Sequence, residues 1–298
     1  MTFVQNPLHT NSEALTFPLD ETYVAFGDGS VTAGGVFYGL VLFPERTIIQ
    51  VQRTIETVKE QYGGHASTPL HCRELFGYHA RAKSPWAHIS EKDAIALCGD
   101  VLRAVSKFEP KYLLGHVPSA YYPKRFRLLG KNGHPDLVHD LDEKWLLLWS
   151  YFRIAALLDP VEIVEPKDPT KTPRPRNLPF WQMVVKRADP GLRVCQVVLD
   201  REETKIRWFS KSFQWVSVAK EIVIESPMGR SYLPIEPASD VKHPLLDVAD
   251  IFAYSVGRSL SQGRPLEYSD FSANVHVELL WGTGEEIVLG NANLEANA

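Results

Sequence analysis

Two strongly apolar runs of this chain end in an aspartate. Asp28 ends the run YVAFG, which begins at Tyr23, and Asp200 ends the run LRVCQVVL, which begins at Leu192. Such runs are typical of buried strands, and sites in α/β sheets form beyond the carboxyl ends of strands. We therefore expect the two carboxylates to lie close together. Oxygen ligands of this kind suit Mg²⁺ or Mn²⁺ better than zinc.

A hairpin turn is the alternative explanation for Asp28. Asp-Gly between apolar runs is a strong turn signal, and a second run, GGVFYGLVLF, follows at 34–43. The place of Asp200 depends on which strand lies beside the first one. If the strand that begins at Lys111 lay there instead, His116 would approach the site in place of Asp200. The sequence leaves both questions open.

Two further aspartates lie on a predicted helix near the end of the chain. Residues 243–262 have a proline near the first turn and a glycine after the last, as helices often do. Asp247 and Asp250 are three residues apart and share a face, yet their sequence neighbours are apolar. A carboxylate in such surroundings requires a partner or a cation, and a divalent metal meets that need. The alternative is two acids that favour the helix dipole in its first two turns.

Glu74 is a further candidate, and it lies in the segment STPLHCRELF at 67–76. The Ser-Thr-Pro opening resembles a helix start, and His71, three residues before Glu74, is predicted to share its face. An imidazole there can assist proton transfer or product release. The alternatives are an acid of the first helical turn for Glu74 and a capping or surface group for His71.

A mixed sheet is needed to position these residues. Strands are predicted at 22–26 and 36–43, and TIIQVQ at 47–52 is predicted as the third strand of an antiparallel meander. Strand and helix patterns then alternate, which favours parallel pairing after residue 110. The predicted fold class is α/β, with the meander followed by parallel strands and with helices on both faces. The later elements are predicted as helices at 67–76, 90–108, 141–158 and 243–262, and as strands at 111–122, 192–200 and 221–226.

The composition is that of an ordinary globular protein. No run approaches the ~20 apolar residues of a membrane span, and the N-terminus lacks the basic and apolar parts of a signal peptide. A cytoplasmic location without a membrane partner is therefore expected. The three cysteines show no C-x-x-C spacing, so neither a disulfide framework nor a zinc site is indicated.

Clusters of cations interrupt the predicted elements. The net charge of −4 gives no general attraction for nucleic acid, so affinity for phosphate requires local cations. They occur in YYPKRFRLLGKNGH at 121–134 and in EPKDPTKTPRPRN at 165–177, as nucleic-acid contacts or as ordinary solvated loops. Prolines in the second segment lack the amide hydrogens of a central strand. The predicted organisation is a lead-in at 1–20, a domain at 21–283 with a Pro/Lys/Arg-rich insertion near 165–190, and a tail at 284–298.

Taken together, these segments resemble the ribonuclease H-like superfamily. FGDGSVTAGGVFYGLVLF at 26–43 looks like its opening hairpin, and STPLHCRELF at 67–76 looks like its first helix, which carries a Glu before a Leu. More narrowly, the chain is similar to the branch called domain of unknown function 3800. That similarity is carried by LLDVADIFAYSVGR at 245–258, which looks like the late helix of the branch.

The resemblance implies a metal-dependent nuclease-like site in a ribonuclease H-like domain. Two Mg²⁺ or Mn²⁺ ions roughly 4 Å apart would activate a water and neutralise the leaving oxygen of a phosphodiester. DNA or RNA is then the expected substrate and partner, and His71 is expected to assist the proton transfer. The metal ligands that the resemblance implies are Asp28, Glu74, Asp200 and Asp250.

The chain departs from the family pattern at three positions. Gly29 stands where the family usually has Glu, Asp247 stands where it usually has Gln, and Leu70 stands where the narrower branch tends to have an acid. A catalytically inert scaffold that binds nucleic acid or a protein partner is therefore the alternative function. Metal binding separates the two hypotheses.

Overall fold

The computed structural model describes the first part of the chain in one long stretch and the later part in separate segments. Within these segments, no helix is both long enough and apolar enough to cross a membrane. The lead-in at 1–20 and the insertion near 165–190 lie outside them. The described residues are 21–119, 125–128, 137–140, 146–147, 150–151, 154, 193–200, 214–218, 221–226, 229–231, 235–238, 243–262, 275–279 and 286–289.

A long β-hairpin opens the described chain. β1 (Thr22–Thr32) pairs antiparallel with β2 (Gly35–Pro44), and Asp28 is opposite Gly39 in this pair. The chain reverses only at 33–34. Asp28 therefore lies inside a strand, well before the turn. Both the hairpin-turn explanation of this residue and the prediction that the first strand ends there are wrong, because residues 29–32 still pair with β2.

The prediction of a third meander strand at 47–52 is also wrong. Residues 47–52 belong to the end of a 3-10 turn and to α1 (Ile48–Gln61). Val51, Ile55 and Val58 are buried, which is the spacing of a helix face. Six residues are too few to distinguish a period of two from a period of 3.6, because both patterns fit a short apolar run.

The central sheet has six strands of mixed direction. β3 (Lys111–Pro118) runs antiparallel to β2, and β6 (Arg193–Asp200) lies beside β1 and parallel to it. β10 (Ile235–Ala238) pairs parallel with β6, and β11 (Val275–Leu279) pairs parallel with β3. The order is β10-β6-β1-β2-β3-β11. The predicted mixed α/β sheet is confirmed, and its parallel pairs all involve strands after residue 110.

Two smaller sheets account for the other strands of the described segments. These strands are β4 (Arg125–Leu128), β5 (Leu137–Asp140), β7 (Gln214–Val218), β8 (Glu221–Ser226), β9 (Gly229–Ser231) and β12 (Glu286–Leu289). One sheet places β12 beside β4 and β4 beside β5, and the other contains three antiparallel strands in the order β7-β8-β9. β12 falls within the predicted tail.

Helical residues cover both faces of the central sheet, as predicted. On one face, the last described helix, α5 (Leu246–Gln262), packs on β1 and β2. Gly39 permits this approach, because a Cβ added there would lie 2.8 Å from the ring of Phe252. On the other face, the helical residue Tyr151 meets Tyr38 edge-on at a ring distance of 5.3 Å.

The remaining helices lie between β2 and β3 in sequence and extend the core on the α5 side. α4 (Glu91–Ser106) begins at a capping box in which Ser90 and Asp93 exchange hydrogen bonds. α1 and α4 pack against each other, and their buried side chains join one apolar cluster with those of α5. Two short helices, α2 (Cys72–Phe76) and α3 (Tyr78–Arg81), connect α1 to α4.

Candidate carboxylate site

Asp28 lies on the face of the sheet that α5 covers. Side chains alternate along a strand, so Asp28 shares the face of Val24 and Phe26, which belong to the same apolar cluster as α5. Only 9% of Asp28 is exposed, and its Oδ1 accepts a hydrogen bond from the amide of Gly29 at 2.7 Å. The surroundings of such a buried carboxylate decide whether its charge is tolerated.

Two aspartates of α5 bind the chain segment that leads into α2. Oδ1 of Asp247 accepts a hydrogen bond from the amide of Leu70 at 2.9 Å. One helical turn later, Oδ2 of Asp250 accepts one from the amide of Cys72 at 2.7 Å. Amides two residues apart in the segment thus match carboxylates three residues apart on the helix. These two bonds fix the start of α2 against α5.

Asp247 forms a buried ion pair with Lys59 of α1. Neither side chain has any exposure to solvent. Burial raises the pKa of Asp247, whereas the ammonium of Lys59, the amide of Leu70 and the nearby His71 act in the opposite direction. The sequence predicted that a carboxylate in this apolar helix needs a cation. For Asp247, this cation is the ammonium of Lys59 and not a metal ion.

Sequence reasoning missed Lys59. Its position follows Val51 and Ile55 at a spacing of four residues, so it lies on the buried stripe of α1. A lysine on such a stripe is a signal for a buried acidic partner, because lysines are almost never fully buried unless they are paired. The mistaken assignment of 47–52 as a strand concealed the stripe.

Asp28 and Asp250 both affect the pKa of the Cys72 thiol. Burial, above all, holds the pKa of this thiol well above its usual range, with further contributions from a hydrogen bond to Cys98 and from the charge of Asp250. Asp28 also contributes in the same direction. Both carboxylates therefore act on one buried thiol, and they lie on the same side of the sheet.

The backbone brings Asp200 to the neighbouring strand position. Gly27 of β1 is paired with Leu199 of β6, and Asp28 and Asp200 are the next residues of these two parallel strands. The side chain of Asp200 lies outside the described part of the structure. The competing arrangement is excluded, because β3 lies beside β2, where His116 is opposite Phe37.

His71 and Glu74 are both at the start of α2. His71 occupies the N-cap position with an extended backbone, so it precedes the helix, and its side chain makes no capping hydrogen bond. Its influence on the pKa of Asp247 places it near the buried pair. Glu74 lies in the first turn and is half-buried, and its amide donates to the carbonyl of His71 at 2.9 Å.

A complete metal-ligand set is not formed by the described side chains. Among them, no three His, Cys, Asp or Glu residues are arranged so that they could hold one metal ion. Asp28 and Asp250 both act on Cys72, whereas Asp200 is placed beside Asp28 only by the pairing of β6 with β1. The binding of Mg²⁺ or Mn²⁺ therefore stays a prediction.

Comparisons with known proteins returned no relative. No family model matches the chain, and no curated protein and no solved structure is significantly similar to it.

Proposed function

We propose that this protein is a ribonuclease H-like, metal-dependent nuclease that hydrolyses phosphodiester bonds of DNA or RNA. The observation that carries the proposal is the position of Asp28 and Asp200, at neighbouring points of two adjacent parallel strands, under the helix that carries Asp250. The order β3-β2-β1-β6-β10 also agrees with an antiparallel meander followed by parallel strands.

The local electrostatics favour a cation at this position. After burial and the hydrogen bond to Cys98, Asp250 and Asp28 both raise the pKa of the Cys72 thiol, so both carboxylates act on one point between β1 and α5. A divalent ion at this point would be attracted to the carboxylates, and two such ions can activate a water and neutralise the leaving oxygen. The hydrogen bond that the Cys72 amide donates to Asp250 uses one of about four lone-pair sites of this carboxylate. It also orients the carboxylate.

The family position held by Asp247 has a separate role in this proposal. Asp247 is bound to Lys59 and to the amide of Leu70, which makes it a structural residue that holds α1, α2 and α5 together. The proposed metal ligands are therefore Asp28, Glu74, Asp200 and Asp250, without Asp247. His71, which lies near the buried pair of Asp247 and Lys59, is proposed to assist proton transfer during phosphodiester hydrolysis.

A cleavage assay with Mn²⁺ tests the proposal. Labelled single-stranded and duplex DNA and RNA are the substrates, and the variants are Asp28→Asn and Asp200→Asn. We expect the parent to cleave at least one substrate and both variants to lose the activity while they melt at the parental temperature or above. Glu45→Gln, which alters an exposed acid outside the site, is the matched control and retains activity.

The alternative function is an inert scaffold that binds nucleic acid or a protein partner. The arrangement that favours it is the lack of a three-residue metal group among the described side chains. A parent that neither cleaves any of the four substrates nor is stabilised by Mn²⁺ would replace the nuclease proposal with this one.

A further inference from the structure

An exposed tyrosine marks the surface formed by α2 and α3. Tyr78 is the most exposed large apolar side chain of the described segments, at 79%, ahead of Ile49 at 66% and Val31 at 42%. Its ring meets the ring of His79 edge-on at 5.1 Å. An aromatic ring offers a large flat surface for stacking, and the exposure of Tyr78 leaves this surface accessible to a partner.

The sequence around Tyr78 has the opposite charge balance from the whole chain. The chain has 36 acids and 32 Lys and Arg residues, whereas the stretch 61–90 contains three such cations and a single acid, Glu74. Arg73 and Lys83 are exposed, as is His79. Arg73 lies five residues before Tyr78 and Lys83 five residues after it, so exposed cations flank the exposed ring along the chain.

The same surface is attached to the carboxylate site. The amide of Cys72, at the start of α2, binds Asp250. At the end of α2, the ring of Phe76 stacks on Tyr254 of α5 at 5.1 Å, and the guanidinium of Arg258 lies 5.5 Å from the centre of the Phe76 ring. The helix is therefore fixed at both ends to α5.

Only a short length of chain separates the exposed ring of Tyr78 from Cys72, the residue whose amide binds Asp250. Tyr78 follows Cys72 by six residues, so the two Cα atoms are separated by at most about 20 Å. A helical backbone over part of this stretch shortens the distance further. A flexible ligand a few units long can therefore reach from the ring of Tyr78 to the carboxylates.

We propose that α2 and α3 form a binding platform for single-stranded nucleic acid. Tyr78 stacks on a base, and Arg73 and Lys83 contact backbone phosphates on either side of it. A single strand fits this surface because its bases are available for stacking, whereas the bases of a duplex are stacked on one another. The identification of this strand as the substrate rests on the proposed nuclease function, but the binding itself does not.

Fluorescence anisotropy with labelled DNA and RNA oligonucleotides in EDTA tests the platform, since cleavage and metal binding are then absent. We expect Tyr78→Ala to weaken the binding of single strands by roughly tenfold or more, and Tyr78→Phe to retain it, because stacking needs only the ring. Arg73→Gln and Lys83→Gln each reduce the salt slope of log affinity by about 0.7, the value expected for one phosphate contact to a single strand.

Exposed residues of α1 provide matched controls. Ile49→Ala removes the next most exposed large apolar side chain, and Arg53→Gln removes an exposed cation, so neither change alters single-strand binding on our account. Circular dichroism and thermal melts confirm that each variant is folded, which is expected because every altered side chain is exposed.

The outcomes separate the platform from the nuclease function. Loss of single-strand binding in Tyr78→Ala supports the platform, whether or not the parent cleaves its ligand. A parent that does not bind single strands overturns the platform. Unchanged binding in Tyr78→Ala, or an equal loss in Arg53→Gln, also overturns it, even where the carboxylates prove essential for cleavage.

Discussion

The two aspartates of α5 lie one turn apart in surroundings that treat their charges differently. Asp247 is fully buried with Lys59, and its second oxygen holds the amide of Leu70. Asp250 faces the region where Asp28 also acts, around the neutral thiol of Cys72. The first region contains its own cation, and in the second both carboxylates oppose ionisation of the same thiol. Equal residue types at helical spacing thus serve a structural role in one region and a proposed catalytic role in the other.

The largest effect should come from breaking the buried pair. Lys59→Met leaves the carboxylate of Asp247 buried without its ammonium, which is expected to lower the free energy of unfolding by about 3–5 kcal/mol. Chemical denaturation measures this change. Lys92→Met, at an exposed position of α4, should change the free energy of unfolding by less than about 0.5 kcal/mol.

A double variant distinguishes the ion pair from simple packing. Lys59→Met with Asp247→Asn removes both charges and keeps an acceptor for the amide of Leu70. We expect it to recover most of the stability that Lys59→Met loses. A double variant as unstable as the single one would show that the shape of the lysine side chain, and not its charge, stabilises the core.

A buried imidazole on the same face of the sheet should make stability depend on pH. The ring of His116 stacks on Phe37 at 4.1 Å, and burial lowers its pKa to about 4, although the backbone of Gly34 opposes the shift. Because the folded pKa lies below the unfolded value, the contribution of His116 is complete above pH 6.5. It is lost as the pH falls towards 4, by on the order of 3 kcal/mol.

Denaturant unfolding at several pH values between 7.5 and 4 measures this loss. His116→Phe should reduce the slope of stability against pH in this window, since the aromatic contact stays and the titrating group is gone. An unchanged slope would mean that the acid sensitivity comes from the carboxylates and not from His116.

Several candidate site residues could be predicted from the local sequence. The distant residues and strands that lie beside them could not. The strand that ends at Asp200 follows from its apolar run, and the buried face of α5 follows from its spacing, whereas β1 continues past Asp28 to Thr32. The order of strands is a property of distant pairings, so only the structure decides that β6 and not β3 lies beside β1. Lys59 is separated from Asp247 by most of the chain, and no local sequence pattern predicts that these two residues form an ion pair.

The reactivity of Cys72 should report the charge of Asp250. The Cys72 thiol is buried and its pKa is raised, so alkylation by iodoacetamide at pH 8 should be at least roughly tenfold slower in the folded protein than in denaturant. Peptide mapping by mass spectrometry follows Cys72 separately from Cys98. Asp250→Asn should accelerate the reaction of Cys72, because it removes one of the charges that oppose the thiolate. Equal rates in the variant and the parent would contradict an effect of the Asp250 charge on the thiol.

The smallest change in stability, and the most direct test, comes from Asp250→Asn measured by thermal melting with and without Mn²⁺. Asparagine keeps an oxygen for the amide of Cys72 and removes the charge that adds to that of Asp28. Without metal, we expect the variant to melt at the parental temperature or slightly above it, because a repulsion is relieved. With Mn²⁺, the melting temperature of the parent should rise and that of the variant should not, because a ligand that binds only the folded state stabilises it. A variant that is less stable without metal, together with a parent that does not respond to Mn²⁺, would contradict the metal site and leave Asp250 as a structural residue like Asp247.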